Sequence, residues 1–577
     1  FLLATVIALW TGTLLYLSLH LRTANSYAFM LSGYTLPLIA LPVVDNPTAV
    51  FDIASSRFQE ICLGIVCAAV VGAMFWPRRL TPVFVGAAGK WFDDAAGYSD
   101  HFLARDVKGE EVGPLRSAMV GTFNSLEMMI GQLPHEGARP QLGRMIHLLP
   151  VIDALDDALF AIERRTPELV ERLAPVMASA RQWLKDSVDD PDQARWQALR
   201  DELHALRPTP EQLDDRRELM FSNAVYRLGE WIDLWQDLRS LELAIKTDSR
   251  LPWRAVYRHW RLGRLKPFLD RGLMLYSVFS TVTAIIVASV LWILLGWTDG
   301  ASAVILAAVA CSFFAAMDDP APQIYRFFFW TVMSVVFASL YLFLVLPNLH
   351  DFPMLVLAFS VPFIVVGTLT VQPRFFLGTL LTIVNTSSFI SIQGAYDADF
   401  MNFANSNLAG PVGLLFAFVW TLVVRPFGVE LAAKRLTRFS WRDVVHITRP
   451  ASLAEQRAMG VQMLDRLMQH LPRLTMTGQD TSAALRDVRV ALNLLDMQAY
   501  SPRVPAAVQP LLHQVIEEVG GYFQACRKAS ERLPAPMGLL MTMDRARRGL
   551  TVQAMVEAEE AREHLLHALS GLRLALL

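Results

Sequence analysis

Long apolar runs, each close to bilayer-spanning length and almost free of ionisable groups, constrain this chain more than any other feature of its sequence. Residues 61–75, 301–316 and 355–369 contain no ionisable side chain apart from cysteine thiols. Each sits inside a longer apolar stretch near the roughly 20 residues that a membrane helix needs. A helix in a soluble core would carry a polar stripe. Runs of this kind fall at about residues 1–19, 26–44, 57–76, 273–297, 301–317, 327–347, 354–372, 375–392 and 408–424, which predicts nine membrane spans in an all-α, polytopic protein.

The loop charges orient these spans. If the spans alternate, Arg22, Arg78, Arg79, the basic run 254–271, Arg326, Arg374 and Arg425 share one side, and Asp45, Asp52, Asp299, His350, Asp351, Asp397 and Asp399 share the other. The positive-inside rule puts the arginine side in the cytoplasm. Arg78, Arg79 and Arg425 read as boundary residues whose guanidinium groups snorkel to phosphate. The same orientation places two long polar segments in the cytoplasm. Four regions follow: a first membrane block at 1–77, a helical cytoplasmic domain at 78–272, a second membrane block at 273–427 and a C-terminal helical cytoplasmic domain at 428–577.

Residue 1 is Phe and opens directly into an apolar run without a charged leader region, so the first spans are expected upstream of it. A weak internal repeat agrees. Gly12-Thr13-Leu14 followed by Arg22 is similar to Gly367-Thr368-Leu369 followed by Arg374, and Phe51 through Gly64 is similar to Phe400 through Gly413. A duplicated transporter of six plus six spans, with three missing from the first half, fits this pattern, and such proteins commonly hold substrate between their repeats.

The polar segments carry helix periodicity. Phe221, Val225, Leu228, Ile232 and Trp235 step by four, three, four and three, a stripe that packs against another helix. Trp231 and Trp235 belong to the same helix, and core packing is the reading we adopt for them over a ligand pocket. In the C-terminal segment, helices are predicted at about 453–471, 482–497 and from 538 onward.

Several kinds of chemistry are not supported. A net charge of −2 gives no basic field for nucleic acid. The nearest approach to a phosphate-cradling loop, Gly86-Ala87-Ala88-Gly89-Lys90, has the wrong spacing. His564 and His567 lack the intervening Glu of a zinc protease and read as a solvated helix face. The four cysteines, Cys62, Cys67, Cys311 and Cys526, show neither zinc-ligand spacing nor a disulfide framework. No enzyme activity, metal or cofactor is expected.

Polar groups in or beside the spans are the candidates for function, because burying them is costly. Arg57 and Glu60 share a helix face, either as an ion pair locking the helix or as an anion site next to a carboxylate that exchanges protons. Asp318 and Asp319, followed by Pro320 and Arg326, form either a solvated turn or a pair with coupled proton affinities. Asn385, Thr386, Ser387 and Ser388 make a polar band within the eighth span, explained by interhelical hydrogen bonds or by a substrate path. Tyr34 and Thr35 hold the comparable place in the second span.

The stretch SYAFMLSGYT at 26–35, with Phe51 to Ala54, Arg57, Glu60, Gly64 and FWPRR at 75–79, resembles the fusaric acid resistance family. In the second half, GWTDG at 296–300, ASAV at 301–304 and SFFAAMDDPAP at 312–322 resemble the same family. The resemblance implies a proton-driven inner-membrane exporter of hydroxybenzoate- or fusaric-acid-like aromatic carboxylic acids. It also implies a periplasmic adaptor, or membrane fusion protein, and sometimes an outer-membrane channel as partners. On this reading Glu60, Asp318 and Asp319 exchange protons, and Arg57, Arg326 and Arg374 attract the carboxylate. Tyr34, Thr35, Trp297, Asn385, Thr386 and Ser387 line the path. A homo-oligomer is expected, with a dimer as the default. A passive organic-anion channel and a membrane-anchored scaffold that transports nothing are the competing readings.

Overall fold

The structure is a computed structural model, and it describes residues 1–21, 25–44, 46–75, 80–105, 109–130, 142–185, 193–209, 211–247, 256–257, 268–370, 372, 375–390, 396, 398–424, 428–552 and 558–577. All regular structure among these residues is helical. The chain divides into two compact units, one of residues 1–78 and 269–428 and one of residues 79–268 and 429–577.

The first unit holds the apolar helices: α1 Leu2–His20, α2 Ser26–Ala40, α3 Val50–Phe75, α10 Arg271–Leu295, α11 Ala301–Phe313, α12 Ala321–Leu340, α13 Phe352–Leu369, α14 Phe376–Ile390 and α15 Phe400–Val424. They coincide with the nine apolar runs, with one difference. Six among the described residues are long and apolar enough to cross a membrane, whereas α2, α11 and α14 have 15, 13 and 15 residues. At 1.5 Å per residue these three rise only about 20 Å, short of a hydrocarbon core about 30 Å thick. In α11 the helix stops because residues 314–318 turn before Pro320, which caps α12.

Helix α11 is the centre of this unit. Its Val304, Ala307, Ala308 and Ala310 are buried, and it packs on α15, α10 and α2. Small residues make the contact with α15 possible. A Cβ on Gly413 would stand 2.0 Å from the Ala303 carbonyl oxygen and 2.6 Å from its carbon, so the two backbones meet directly. Lipid tails are as apolar as leucine, and close packing of this kind is what holds membrane helices together. At the other extreme, none of the described side chains of α3 or α13 is buried. Nothing lies within 4 Å of where a Cβ on Gly64 would be.

The second unit takes helices from both polar segments: α4 Leu80–Leu103, α5 Gly109–Ile130, α6 Gly143–Arg165, α7 Pro167–Lys185, α8 Gln193–Ala205 and α9 Arg216–Thr247, then α16 Val429–Ile447, α17 Leu453–Met476, α18 Ser482–Tyr500, α19 Gln509–Ala529, α20 Met537–Val552 and α21 Glu559–Leu576. The stripe on α9 is core throughout, with Phe221, Val225, Leu228, Ile232 and Trp235 all buried. Trp231 is fully buried and stacks on Trp235 at 6.0 Å between ring centroids.

Buried charges tie the two segments together. Asp153 on α6 is paired with Arg116 on α5 at 3.0 Å and with Arg489 on α18 at 2.9 Å. Arg116 also donates to the Tyr98 hydroxyl at 2.8 Å and to Thr481 at 3.2 Å. Burial pushes the Asp153 carboxyl up, and the two guanidinium groups oppose that shift. Arg227 on α9 bridges Glu230 at 2.6 Å and Asn493 on α18 at 3.1 Å.

His567 corrects the solvated-face expectation. It is 2% exposed and stacks on Tyr226 at 4.3 Å, while the half-buried His564 stacks on Tyr500 at the same distance. Burial holds the His567 imidazole below its ordinary value, and the Glu563 carboxyl, 3.7 Å from its Nε2, is held below the usual carboxylate range. An i, i+4 acid–histidine pair is common on solvated helices, so its spacing alone does not distinguish the two situations.

Two predictions follow from this packing. Gly413→Ala must separate α11 from α15 and is expected to cost about 3 kcal/mol, read as a lower melting temperature in detergent. Gly64→Ala meets open space and gains roughly 0.5–1 kcal/mol of helix propensity. The second concerns His470, which burial and Arg473 push down to about 4 from 6.5. Its unfolded form binds the proton more readily, so stability is full above pH 6.5, falls as the pH drops toward 4 and is level below that. Asp487, which burial pushes up to about 6 against the opposing Arg532 and Trp441, has the opposite sign and loses stability as the pH rises from 3.8 to 6. His470→Leu isolates the first effect: relative to wild type it should gain about 2 kcal/mol on going from pH 7.5 to pH 5. Parallel melting curves at the two pH values would sink this assignment.

Candidate functional site

Three polar places stand among the apolar helices. The most enclosed lies between α12 and α14. Phe376–Ile390 is apolar at most positions, and its 100° step carries Asn385 and Thr386 toward α12 while Ser387 and Ser388 face outward. Asn385 donates to the Thr331 hydroxyl at 3.0 Å, and Thr331 is fully buried. Thr386 is 3% exposed, and its hydroxyl has no hydrogen-bond partner among the described residues. Ser387 and Ser388 are exposed and spend their hydroxyls on the carbonyls of Ile383 and Val384, both at 2.9 Å. The four-residue band is therefore two kinds of residue. Ser334, one turn beyond Thr331 on α12, is also buried and donates to the Trp330 carbonyl at 2.7 Å. The Trp330 indole lies over Gly378, where a Cβ would come within 2.5 Å of the ring.

The second place is where α10 meets α15. The Trp292 indole donates to the Trp297 carbonyl at 2.6 Å, and the Trp297 indole donates to Asn405 at 2.9 Å. Asn405 in turn donates to Asp299. Trp297 is thus a structural strut of this junction with its ring half exposed.

The third is the α11–α12 turn. Asp318 is half-buried, and Asp319 and Arg326 are exposed. Just before the turn, Ser312 is 2% exposed and its hydroxyl has no partner among the described residues. Tyr325 packs on Phe418 of α15 at 5.5 Å.

The remaining candidates are separate from these places. Arg57 and Glu60 form an ion pair at 3.1 Å with side chains 59% and 63% exposed, so the pair is made but not enclosed by the helices described. Tyr34 is buried on α2, which packs on α1 and α11. Thr35 satisfies its hydroxyl on Leu31 at 2.7 Å. Arg374 lies outside the described residues, as do Arg22, Asp45, Arg78, Arg79, Asp397, Arg425 and most of the basic run 254–271.

Thr331, Ser334, Asn405 and Ser312 are the polar residues that the sequence reading missed. Thr331 and Ser334 stand three apart on one face of an apolar run, and that spacing was their available signal. What the arrangement offers chemically is a neutral, hydrogen-bonding seam inside the bundle, with the carboxylates and arginines among the described residues at its ends and surface.

The fusaric acid resistance protein family matches residues 1–577. The p-hydroxybenzoic acid efflux pump subunits AaeB of Yersinia pestis (strain Pestoides F) and Yersinia pseudotuberculosis serotype O:1b (strain IP 31758) are each 24% identical to this chain over 567 residues, covering 96% of it and 81% of the relative. No solved structure matches the chain. Because the family match runs without a break through both apolar and both polar segments, this multi-pass helical membrane protein belongs to the fusaric acid resistance protein family.

Proposed function

We propose that this chain is the inner-membrane subunit of an exporter of small aromatic carboxylic acids, coupled to inward proton movement and working with a periplasmic adaptor. The observation that carries the reading is the similarity, across 96% of the chain, to p-hydroxybenzoic acid efflux pump subunits. The buried seam between α12 and α14 supports it. There the Thr386 hydroxyl lacks a partner among the described residues, and the Asn385 amide is oriented by Thr331. A phenolic or carboxylic oxygen passing along the seam would find a donor and an acceptor, and the indole of Trp330 would offer an apolar face to a ring. The charged candidates act at the ends of the path: Arg326 draws the anion, and Asp318 with Asp319 exchanges the proton. Arg57, Glu60 and Arg374 belong to the same proposal, as do Tyr34, Thr35, Trp297 and Ser387 along the path. An outer-membrane channel and a homodimeric assembly complete it.

Efflux of radiolabelled p-hydroxybenzoate from cells expressing the protein with its adaptor, with and without a protonophore, tests the reading. Coupled export predicts that accumulation rises when the proton gradient is collapsed. Label that distributes identically with and without the protein would overturn it. Glu60→Gln, Asp318→Asn and Asp319→Asn decide the mechanism, since coupling requires at least one of them to abolish the pH dependence of flux. If none does and flux follows the membrane potential, the protein is a passive anion channel.

The seam makes a separate prediction. Thr386→Val removes a hydroxyl without a partner among the described residues, so it should change stability by less than about 0.5 kcal/mol and lower efflux several-fold. Thr331→Val strands the Asn385 amide and should cost about 1 kcal/mol of stability as well. Melting in detergent measured beside efflux separates the two effects.

A further inference from the structure

The last apolar helix, α15, is followed after four residues by α16, and α16 has two unlike faces. Ala432, Ala433, Leu436, Trp441, Val444 and Ile447 are buried, and the Trp441 indole donates to Asp487 at 2.8 Å. These contacts fix the rotation of the helix. On its other side Lys434, Arg435, Arg438, Arg442 and His446 are all exposed. With 3.6 residues to a turn, these five positions fall within an arc of about 120° and extend for about 18 Å along the axis.

The acids of α16 lie outside that arc. Asp443 is engaged by Arg466, and Glu430 borders the arc and pairs with Lys434 at 2.7 Å. Glu455, the next acid along the chain, is held in the capping box of α17. Both partners of the Glu430–Lys434 pair are more than half exposed, and a pair in water holds its charges weakly enough for another anion to compete. A solvated helix face ordinarily mixes signs, as α8 does with exposed Arg195, Asp201 and Glu202. The bias of arginine toward one side of a membrane asks only for positive charge on that side. It does not gather the charges onto one face of a folded helix.

We infer that the basic face of α16 docks on anionic phospholipid headgroups of the leaflet from which α15 emerges, with its guanidinium groups on lipid phosphate. Guanidinium forks match phosphate in geometry as well as charge. A cluster of basic residues immediately beside a membrane helix gains attraction to an anionic leaflet with each residue it holds near the surface. Leu431 is exposed at the head of the same face and enters the apolar boundary there, as apolar residues of surface-lying helices do. Because the opposite face of α16 is core, an anionic leaflet holds the polar unit through this helix. The inference rests on the membrane assignment and not on the export reading.

Acetylation of lysines by acetic anhydride, read by peptide mass spectrometry, tests the inference on the full chain in lipid nanodiscs. One set of discs holds phosphatidylcholine alone and the other an equal mixture of phosphatidylcholine and phosphatidylglycerol. Lys434 is expected to react several-fold more slowly in the anionic discs, while Lys185, exposed on α7, keeps one rate in both. The protection should fade at high salt, where the Debye length is short, and be lost when Arg438→Gln and Arg442→Gln are combined. The comparison of lipids and of salt uses the unaltered chain, so it stands even if the double variant does not fold. Equal Lys434 rates in the two discs would overturn the inference and leave a solvated face, and so would protection that persists in the folded double variant. Protection that appears in phosphatidylcholine discs on adding cytosolic extract, and not with phosphatidylglycerol, would assign the face to an acidic protein instead. A chain that exports no aromatic acid yet shows the lipid-dependent protection sinks the transport reading and leaves this one standing.

Discussion

The contact between the backbones of α11 and α15 is the constraint on which the membrane unit depends. A 13-residue helix cannot by itself satisfy a bilayer, and α11 is stable where it is because neighbours enclose it on several sides. The closest of these, α15, approaches because Gly413 has no side chain and Ala303 presents its bare carbonyl. With that distance fixed, α12 packs on α15 and α14 on α12, so the seam of Thr331, Asn385 and Thr386 is positioned by a chain of contacts that starts at one glycine. The Asn385–Thr331 hydrogen bond within the seam then favours one rotation about the helix axes.

The polar unit solves a different problem. Its core is large enough to be driven by apolar burial, and its ionic pairs decide which segments meet. Asp153 faces Arg116 from the first polar segment and Arg489 from the second, in a place where an unpaired carboxylate would be strongly disfavoured.

Much of the architecture was legible in the sequence because two periodicities are strong. Apolar runs without charge mark the membrane helices, and the stripe from Phe221 to Trp235 marks α9 as core. The site was less legible for a physical reason. Hydropathy registers how polar a residue is but not which way it points, so Asn385, Thr386, Ser387 and Ser388 read as one band although only the first two turn inward. Charged residues attract notice in an apolar context, yet Arg57 and Glu60 are exposed and Asp319 and Arg326 lie at the surface, while the enclosed groups are neutral threonines and an asparagine.

The order in which the chain is made gives the Asp153 network a further meaning. Residues 79–268 leave the ribosome before α10 to α15, and Arg489 is synthesised only after both. Through that interval the first polar segment carries a carboxylate destined for burial with one of its two arginines absent, and an apolar face on α6 and α9 that α18 and α21 have yet to cover. Completion of the polar unit therefore waits until the second polar segment has been made. The polar unit closes late in biogenesis, and a chain truncated before α18 would present an open hydrophobic surface to the cell's quality-control machinery.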